Sequence, residues 1–400
     1  MAMAALNVFS IVFGVASMIP FLGSMIPQRE DLVTTVRIYA GTGDGTDGQA
    51  PNVAAWDVNG AFIGSVKGGD LIVKGAPYDY KIEMKAEGNG NGAAAQAQYI
   101  SFSQRGNDAI CIAGFSVTWP DGVEFAWYGD VAEMCGAPWY HSSTILSSQD
   151  LYTPKCVWVD GDETNGIKTK GFAVHLPSFV ATEERAQSMT DDKDLWCKVM
   201  PRLHFYDSLE REQPVPYFDP PAEFEAVTLL DKDPDALKDE KRWKTRDHEK
   251  YKAPTDGKPG PGVPPQDQQP EGGKGGEGKP GKPDINPPNI NPPNINPPNL
   301  PKRNTPRFHD KLIKSSRPQH SARELCESKS SLGPDFVSIP EGFFCDMTAK
   351  RAWPLCSETI THACFDVAKD QMRGGKSNSR RDDVTGDRIV RKRYTTVDEW

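Results

Sequence analysis

The sequence predicts a mainly β protein: an antiparallel β-sandwich or barrel domain, a disordered Pro/Gly-rich linker, and a small disulfide-stapled C-terminal module. Three observations predict it. Short β-branched and aromatic runs recur between Gly, Asn and Asp turns as far as about Tyr206. Composition then collapses over 253–301 to Pro, Gly, Lys, Asn and Gln, with too few apolar side chains to offset chain entropy. The eight cysteines fall into two sets of four, one on each side of that stretch.

Residues 1–27 open the chain as an apolar segment, read as a signal peptide or an N-terminal helix. No charge precedes Arg29, and Gly14-Val15-Ala16 before Ser17 offers the small residues of a cleavage site. The positive charge usual at the start of a signal peptide is missing, and Pro20 and Pro27 disfavour a straight spanning helix. A signal anchor and a buried or amphipathic helix stay open, and the segment offers membrane contact. The chain has no Asn-x-Ser/Thr acceptor, since Asn304-Thr305 is followed by Pro306.

The β-rich domain is placed at 28–230. Residues 33–39, 52–64 and 78–85 read as strands, as do 155–159, 170–174 and 197–205. The clearest hairpin is 109–128. Ile110 and Ile112 face one way, and after Gly114 the apolar set shifts phase to Phe115, Val117 and Trp119, which predicts a bulge. Pro120-Asp121-Gly122 supplies the turn, and Val123, Phe125 and Trp127 alternate on the return.

Residues 231–306 read as a charged, then Pro/Gly-rich linker. Pro234 and the lack of an apolar stripe argue against a helix over 231–252. The sequence Ile-Asn-Pro-Pro-Asn occurs three times over 285–299. As polyproline II its 15 residues would span roughly 45 Å. A small Cys-containing module follows at 307–372, then a basic polar tail at 373–400.

Charge excludes a general nucleic-acid binder. The net value is −9. From Lys302 onward, 19 Lys and Arg against 14 Asp and Glu leave +5; the preceding residues carry 27 against 41, or −14. Attraction of the tail to an acidic surface is one consequence open to it.

The disulfide candidates are Cys111, Cys135, Cys156 and Cys197, then Cys326, Cys345, Cys356 and Cys364. Each set of four allows three pairings. Structural zinc usually shows close pairs, whereas the spacings here are 23, 20 and 40 residues, then 18, 10 and 7. Unpaired buried thiols are the remaining reading. Disulfides imply a secreted, extracellular protein. In such a protein the basic pairs Lys302-Arg303, Arg380-Arg381 and Lys392-Arg393 are candidate processing sites.

No catalytic, cofactor-binding or metal-ligating set is assigned. Gly43-Asp44-Gly45-Thr46-Asp47-Gly48 has the spacing of a dinucleotide loop, but no helix opens after it. The run from Asp160 to Gly166 resembles an EF-hand loop with its Gly one position late and Gly171 where the bidentate Glu belongs. No histidine stands at ligand spacing from a cysteine or carboxylate.

Two stretches carry a resemblance. Gly333-Pro334-Asp335-Phe336-Val337-Ser338, Glu341-Gly342, Phe344-Cys345-Asp346-Met347, Trp353-Pro354-Leu355-Cys356 and Cys364-Phe365-Asp366 resemble the C-terminal part of secreted enterotoxin-like proteins of filamentous fungi. The apolar residues 6–27 with 34–38 are similar to an internal region of that group. The resemblance implies a secreted, toxin-related effector corresponding to the non-catalytic portion. The ADP-ribosyltransferase chains of such toxins use a strand Arg, a Ser-Thr-Ser strand and a Glu-x-Glu pair. Here Glu223-Phe224-Glu225 fits the last, Ser142-Ser143-Thr144 has the wrong order, and Arg37 is one strand Arg among several. A weaker similarity, through Gly43-Asp44, Asn52-Val53 and Asp108, runs to PLAT-type sandwiches and implies lipid or protein binding by loops.

The sequence therefore points to a secreted non-enzymatic binding or effector protein. Its partner would be a host or cell-surface protein, a lipid or a glycan. An enterotoxin-like transferase component and a structural cell-wall or surface protein are the alternatives.

Overall fold

A computed structural model describes residues 6–12, 15–43, 46–72, 76–83, 96–147, 151–163, 166–246, 308–374 and 392–400. The repeats at 285–299 and the pairs Lys302-Arg303 and Arg380-Arg381 lie outside the described residues.

The first module carries β1 (Leu6–Val12), β2 (Val15–Phe21), β3 (Val33–Ala40), β4 (Asn52–Trp56), β5 (Phe62–Val66) and β6 (Tyr78–Glu83). Then come β7 (Tyr99–Ser103), β8 (Ile110–Thr118), β9 (Glu124–Tyr128), α1 (Asp130–Met134), β10 (Trp139–Tyr140), β11 (Cys156–Val159) and β12 (Gly171–His175). It closes with α2 (Glu183–Asp191), α3 (Lys193–Cys197), β13 (Leu203–Tyr206), β14 (Tyr217–Phe218), α4 (Pro234–Lys238) and β15 (Trp243–Lys244).

Two antiparallel sheets make the sandwich. One runs β10-β11-β8-β3-β6 with β9 also paired to β8; the other runs β13-β12-β7-β4-β5. Val36, Ile38, Phe115 and Val117 of the first sheet meet Val53, Ile100, Phe102 and Phe172 of the second in one core. Phe102 and Phe115 touch across it at 4.9 Å between centroids. All nine residues of β8 are buried, so the sheet is covered on both faces at this strand. The phase change at Gly114 is a register shift against Tyr39 and Ala40 in β3, the expected bulge. The turn that follows puts Gly122 at φ +86°, where a side chain would be strained, and the Val123 N–H donates to Asp121.

The second module carries β16 (Lys311–Ser315), α5 (Ala322–Glu327), β17 (Asp335–Ser338), β18 (Phe343–Asp346), β19 (Arg351–Pro354), β20 (Cys364–Asp366), β21 (Gln371–Arg373) and β22 (Thr396–Glu399). Its sheet runs β19-β18-β17-β16-β22, with β16 parallel to both β17 and β22. β20 and β21 form a separate antiparallel hairpin.

Four expectations are corrected. Within the stretch read as a signal peptide or N-terminal helix, residues 6–12 and 15–21 are not helical but form the antiparallel β1–β2 hairpin. Val8, Phe9, Ile11 and Phe21 are buried, while Val15 at the hairpin tip is exposed. Cleavage after Ala16 would remove β1 and the Phe9 ring that packs on Trp196. Second, the strand expected over 197–205 starts later, because Cys197 ends α3, whose N-cap is the Asp192 carboxylate. Third, residues 231–246 are ordered rather than linker. Pro234 sits in the first turn of α4, where its missing N–H costs nothing, and Asp233 caps it. Leu237 is buried, and β15 pairs with β14. Fourth, β22 draws the end of the basic tail into the second sheet.

Candidate functional site

The four disulfides lie within modules: Cys111–Cys156, Cys135–Cys197, Cys326–Cys345 and Cys356–Cys364. Cys111 and Cys156 come from adjacent strands β8 and β11; Cys135 and Cys197 join the ends of α1 and α3. The first two close loops of 45 and 62 residues, which constrains the unfolded chain by about 4 kcal/mol each.

The largest feature that the sequence hid is a face shared by the two modules. Trp139, Tyr140 and Trp158 of the first join Ile313, Leu325 and Phe336 of the second in a single buried cluster. Backbone bonds cross it: the Trp139 N–H donates to Ser330, and the Leu332 N–H to Trp139. So do side chains. Trp139 Nε1 donates to Ser328 Oγ (2.9 Å), Tyr140 OH to the Pro334 carbonyl (2.8 Å), and Trp158 Nε1 to the Leu332 carbonyl (2.7 Å). The tail is part of the face. Trp400 lies against Tyr140 and Phe336, and a Cβ on Gly43 would fall 2.2 Å from its ring.

At the centre of this face is a buried polar cluster. The Lys155 ammonium is ion-paired to Glu324 of the second module and lies 3.6 Å from Glu133. Burial alone would pull that ammonium down; Glu324, Glu133 and Asp130 more than offset it and hold it above its ordinary value. Asp130 is buried, and its Oδ1 accepts from Tyr152 OH (2.7 Å) and the Lys155 N–H (3.2 Å). Its Oδ2 has no hydrogen-bond partner among the described residues, and burial pushes the carboxyl up to about 6. His141 Nε2–H donates to the Ser321 carbonyl (3.0 Å). His320 bridges Ser315 Oγ (2.7 Å) and Thr153 Oγ1 (2.9 Å). The cavity lined by Asp130, His141, Tyr152, Lys155 and Glu324 measures about 20 Å³, room for water and for no substrate.

A second buried set lies under α2. The fully buried Arg202 pairs with Asp231 (2.8 Å) and sits over the Trp196 ring. Arg185 donates to the carbonyls of Pro177, Ser178 and Leu229, and burial beside Arg202 lowers it to about 9. Outside this set opens a groove of about 630 Å³, lined by Glu183, Glu184 and Asp191 over an apolar floor of Leu195, Leu230 and Pro234. Its size is that of an ordinary binding cleft.

Residues suggested by the toxin pattern are each engaged elsewhere. Arg37 makes a two-pronged pair with Asp79, at 2.6 and 2.7 Å. Ser143 bonds Thr42, and Thr144 donates to the Ala40 carbonyl. Glu223 pairs with Lys232, and Glu225 accepts from Thr228. Among the described residues no His/Cys/Asp/Glu group of metal-holding geometry occurs. No described helix is long and apolar enough to cross a membrane.

The candidate processing pair Lys392-Arg393 is divided by the fold. Lys392 is drawn inward onto Asp335 (2.8 Å) and Asp346 (2.6 Å), while Arg393 stays exposed. Sequence reasoning had no means to join His141 to His320, 179 positions apart, or Lys155 to Glu324. The one available signal was the aromatic run Trp139-Tyr140-His141, whose three consecutive rings no single strand face can bury. Compared with protein-family models and with curated proteins, the chain matches none.

Proposed function

We propose that this is a secreted, non-enzymatic binding or effector protein, toxin-related, acting as one docked two-module body. The observation that carries it is the pairing of all eight cysteines within modules, which suits an oxidising compartment. The resemblance of 333–366 to enterotoxin-like secreted proteins supports the toxin-related part. Mass spectrometry of the exported protein with and without reductant tests it. The expected result is four disulfides and no alkylatable thiol before reduction; eight free thiols would end the reading.

Recognition is assigned to the groove beside α2. Its rim of Glu183, Glu184 and Asp191 repels phosphate headgroups and acidic glycans, and its floor accepts aliphatic chain. Of a protein, lipid or glycan partner, it suits a basic segment of a protein. Reversing Glu183, Glu184 and Asp191 to Lys should abolish binding to Lys/Arg-rich peptides, with the circular dichroism spectrum unchanged. Equal binding by the variant would move recognition elsewhere.

A further inference from the structure

Two imidazoles meet across the face between the modules. His141 follows β10 in the first, His320 precedes α5 in the second, and their rings stack at 4.8 Å between centroids. His141 is 2% exposed and His320 1%. Phe336 and Trp400 close over the pair. We propose that this stacked pair makes docking of the second module acid-labile, so that the modules separate at mildly acidic pH while each stays folded.

Charge on either ring is poorly compensated: the carboxylate of Glu324 stands 3.9 Å from His141 Nε2 and is itself ion-paired to Lys155. His141 uses Nε2 as donor to the Ser321 carbonyl, and Trp139 and Tyr140 flank its ring. The hydroxyls on His320 have other donors: Thr153 Oγ1 accepts from Gln319 (2.8 Å), and Ser315 Oγ accepts from the Arg317 N–H (3.2 Å). A second proton on either ring would place a cation against its stacked neighbour in a largely desolvated site. The charged groups around them are Lys155 and Glu324 beside His141, Glu341 near it, and Arg317 beside His320. Asp130 and Glu133 stand behind Lys155. The net effect lowers both rings: burial and Lys155 take His141 to about 3, and burial, His141 and Arg317 take His320 well below its usual value.

The sign follows from linkage. A histidine whose docked pKa is depressed supports docking above its free pKa of about 6.5, and that support is lost as pH falls below it. Each ring weakens docking about tenfold per pH unit there, so the pair gives about 100-fold between pH 7.5 and 5.5. Asp130 works the other way, since its raised carboxyl gains from acid. Its hydrogen-bond partners Ser10, Tyr152 and Lys155 all belong to the first module, so that gain acts on folding of the module more than on docking.

The test is amide hydrogen exchange on the intact chain between pH 7.5 and 5.5, corrected for intrinsic rates. The reporters are the Trp139 and Leu332 amides, whose acceptors lie across the face. The controls are strand amides of β3 and β17 inside each module. The expected result is an opening constant at the reporters that rises about 100-fold on acidification, with no rise at the controls. Replacing His320 by Asn should cut the rise to about tenfold, and adding His141→Gln should abolish it. A pH-independent reporter overturns the proposal. So does a rise shared equally by the controls, which would mean global unfolding. A rise that persists in the double variant overturns it too, and the wild-type titration decides the matter even if that variant fails to fold.

Discussion

Cutting the chain anywhere within 253–301 is expected to give two polypeptides that still elute as one particle at neutral pH. No disulfide crosses between the modules, so the pair should come apart in denaturant without reductant. What holds it in native buffer is the shared face: Trp139, Tyr140 and Trp158, each fully buried, with side-chain donors satisfied by acceptors of the second module. Buried aromatic anchors of this kind are worth about 2 kcal/mol or more on truncation. Trp158→Ala should therefore weaken the nicked pair by roughly 30-fold or more. Size-exclusion chromatography of a chain cut at an inserted protease site provides the measurement. Separation of the wild-type pieces at pH 7.5 would show that the face is too weak to hold them. With the pieces held together, processing at Lys302-Arg303 would nick the protein rather than release its tail, and release would need a second event such as acid.

The other large effect is expected at Lys392. Its ammonium lies between Asp335 and Asp346, whose side chains are 1% and 9% exposed. Tyr394 OH also donates to Asp335 (2.7 Å). Lys392→Ala leaves two carboxylates buried without their cation, a change that costs about 3–5 kcal/mol. Arg393→Ala, one residue on and exposed, should stay within about 0.5 kcal/mol. The pH dependence has a defined sign. Burial already raises the Asp335 carboxyl, with Lys392 opposing and Asp346 reinforcing the shift. Without Lys392 it rises further, so the variant should recover stability as pH falls and the carboxyl takes up a proton. Urea unfolding of the intact chain at pH 8 and pH 5 reads both effects. Equal costs for the two substitutions would show that the cluster is solvated.

Much of the sandwich was legible locally. The β8–β9 hairpin announced itself by strict alternation, by a phase slip at Gly114 and by a turn triplet, all properties of neighbours in sequence. The reading failed where a distant element supplied the other half of the chemistry. Residues 6–21 are apolar enough for a helix, and the hairpin's partners are distant in sequence: Trp196, 187 positions from Phe9, and Tyr128 against Phe21. Residues 231–246 look like solvated connector because one Leu and one Trp suffice to anchor them.

By itself the sequence determined composition-level facts: two cysteine sets, a stretch that cannot bury a core, and a β pattern between turns. Those depend on residue type and short spacing. Only the tertiary structure decided which cysteines pair and that the two modules share one face. It alone placed Lys392 inside the fold and brought His141 against His320. Each of these depends on contacts between residues far apart in the chain, and spacing in sequence carries no information about which distant surfaces are complementary.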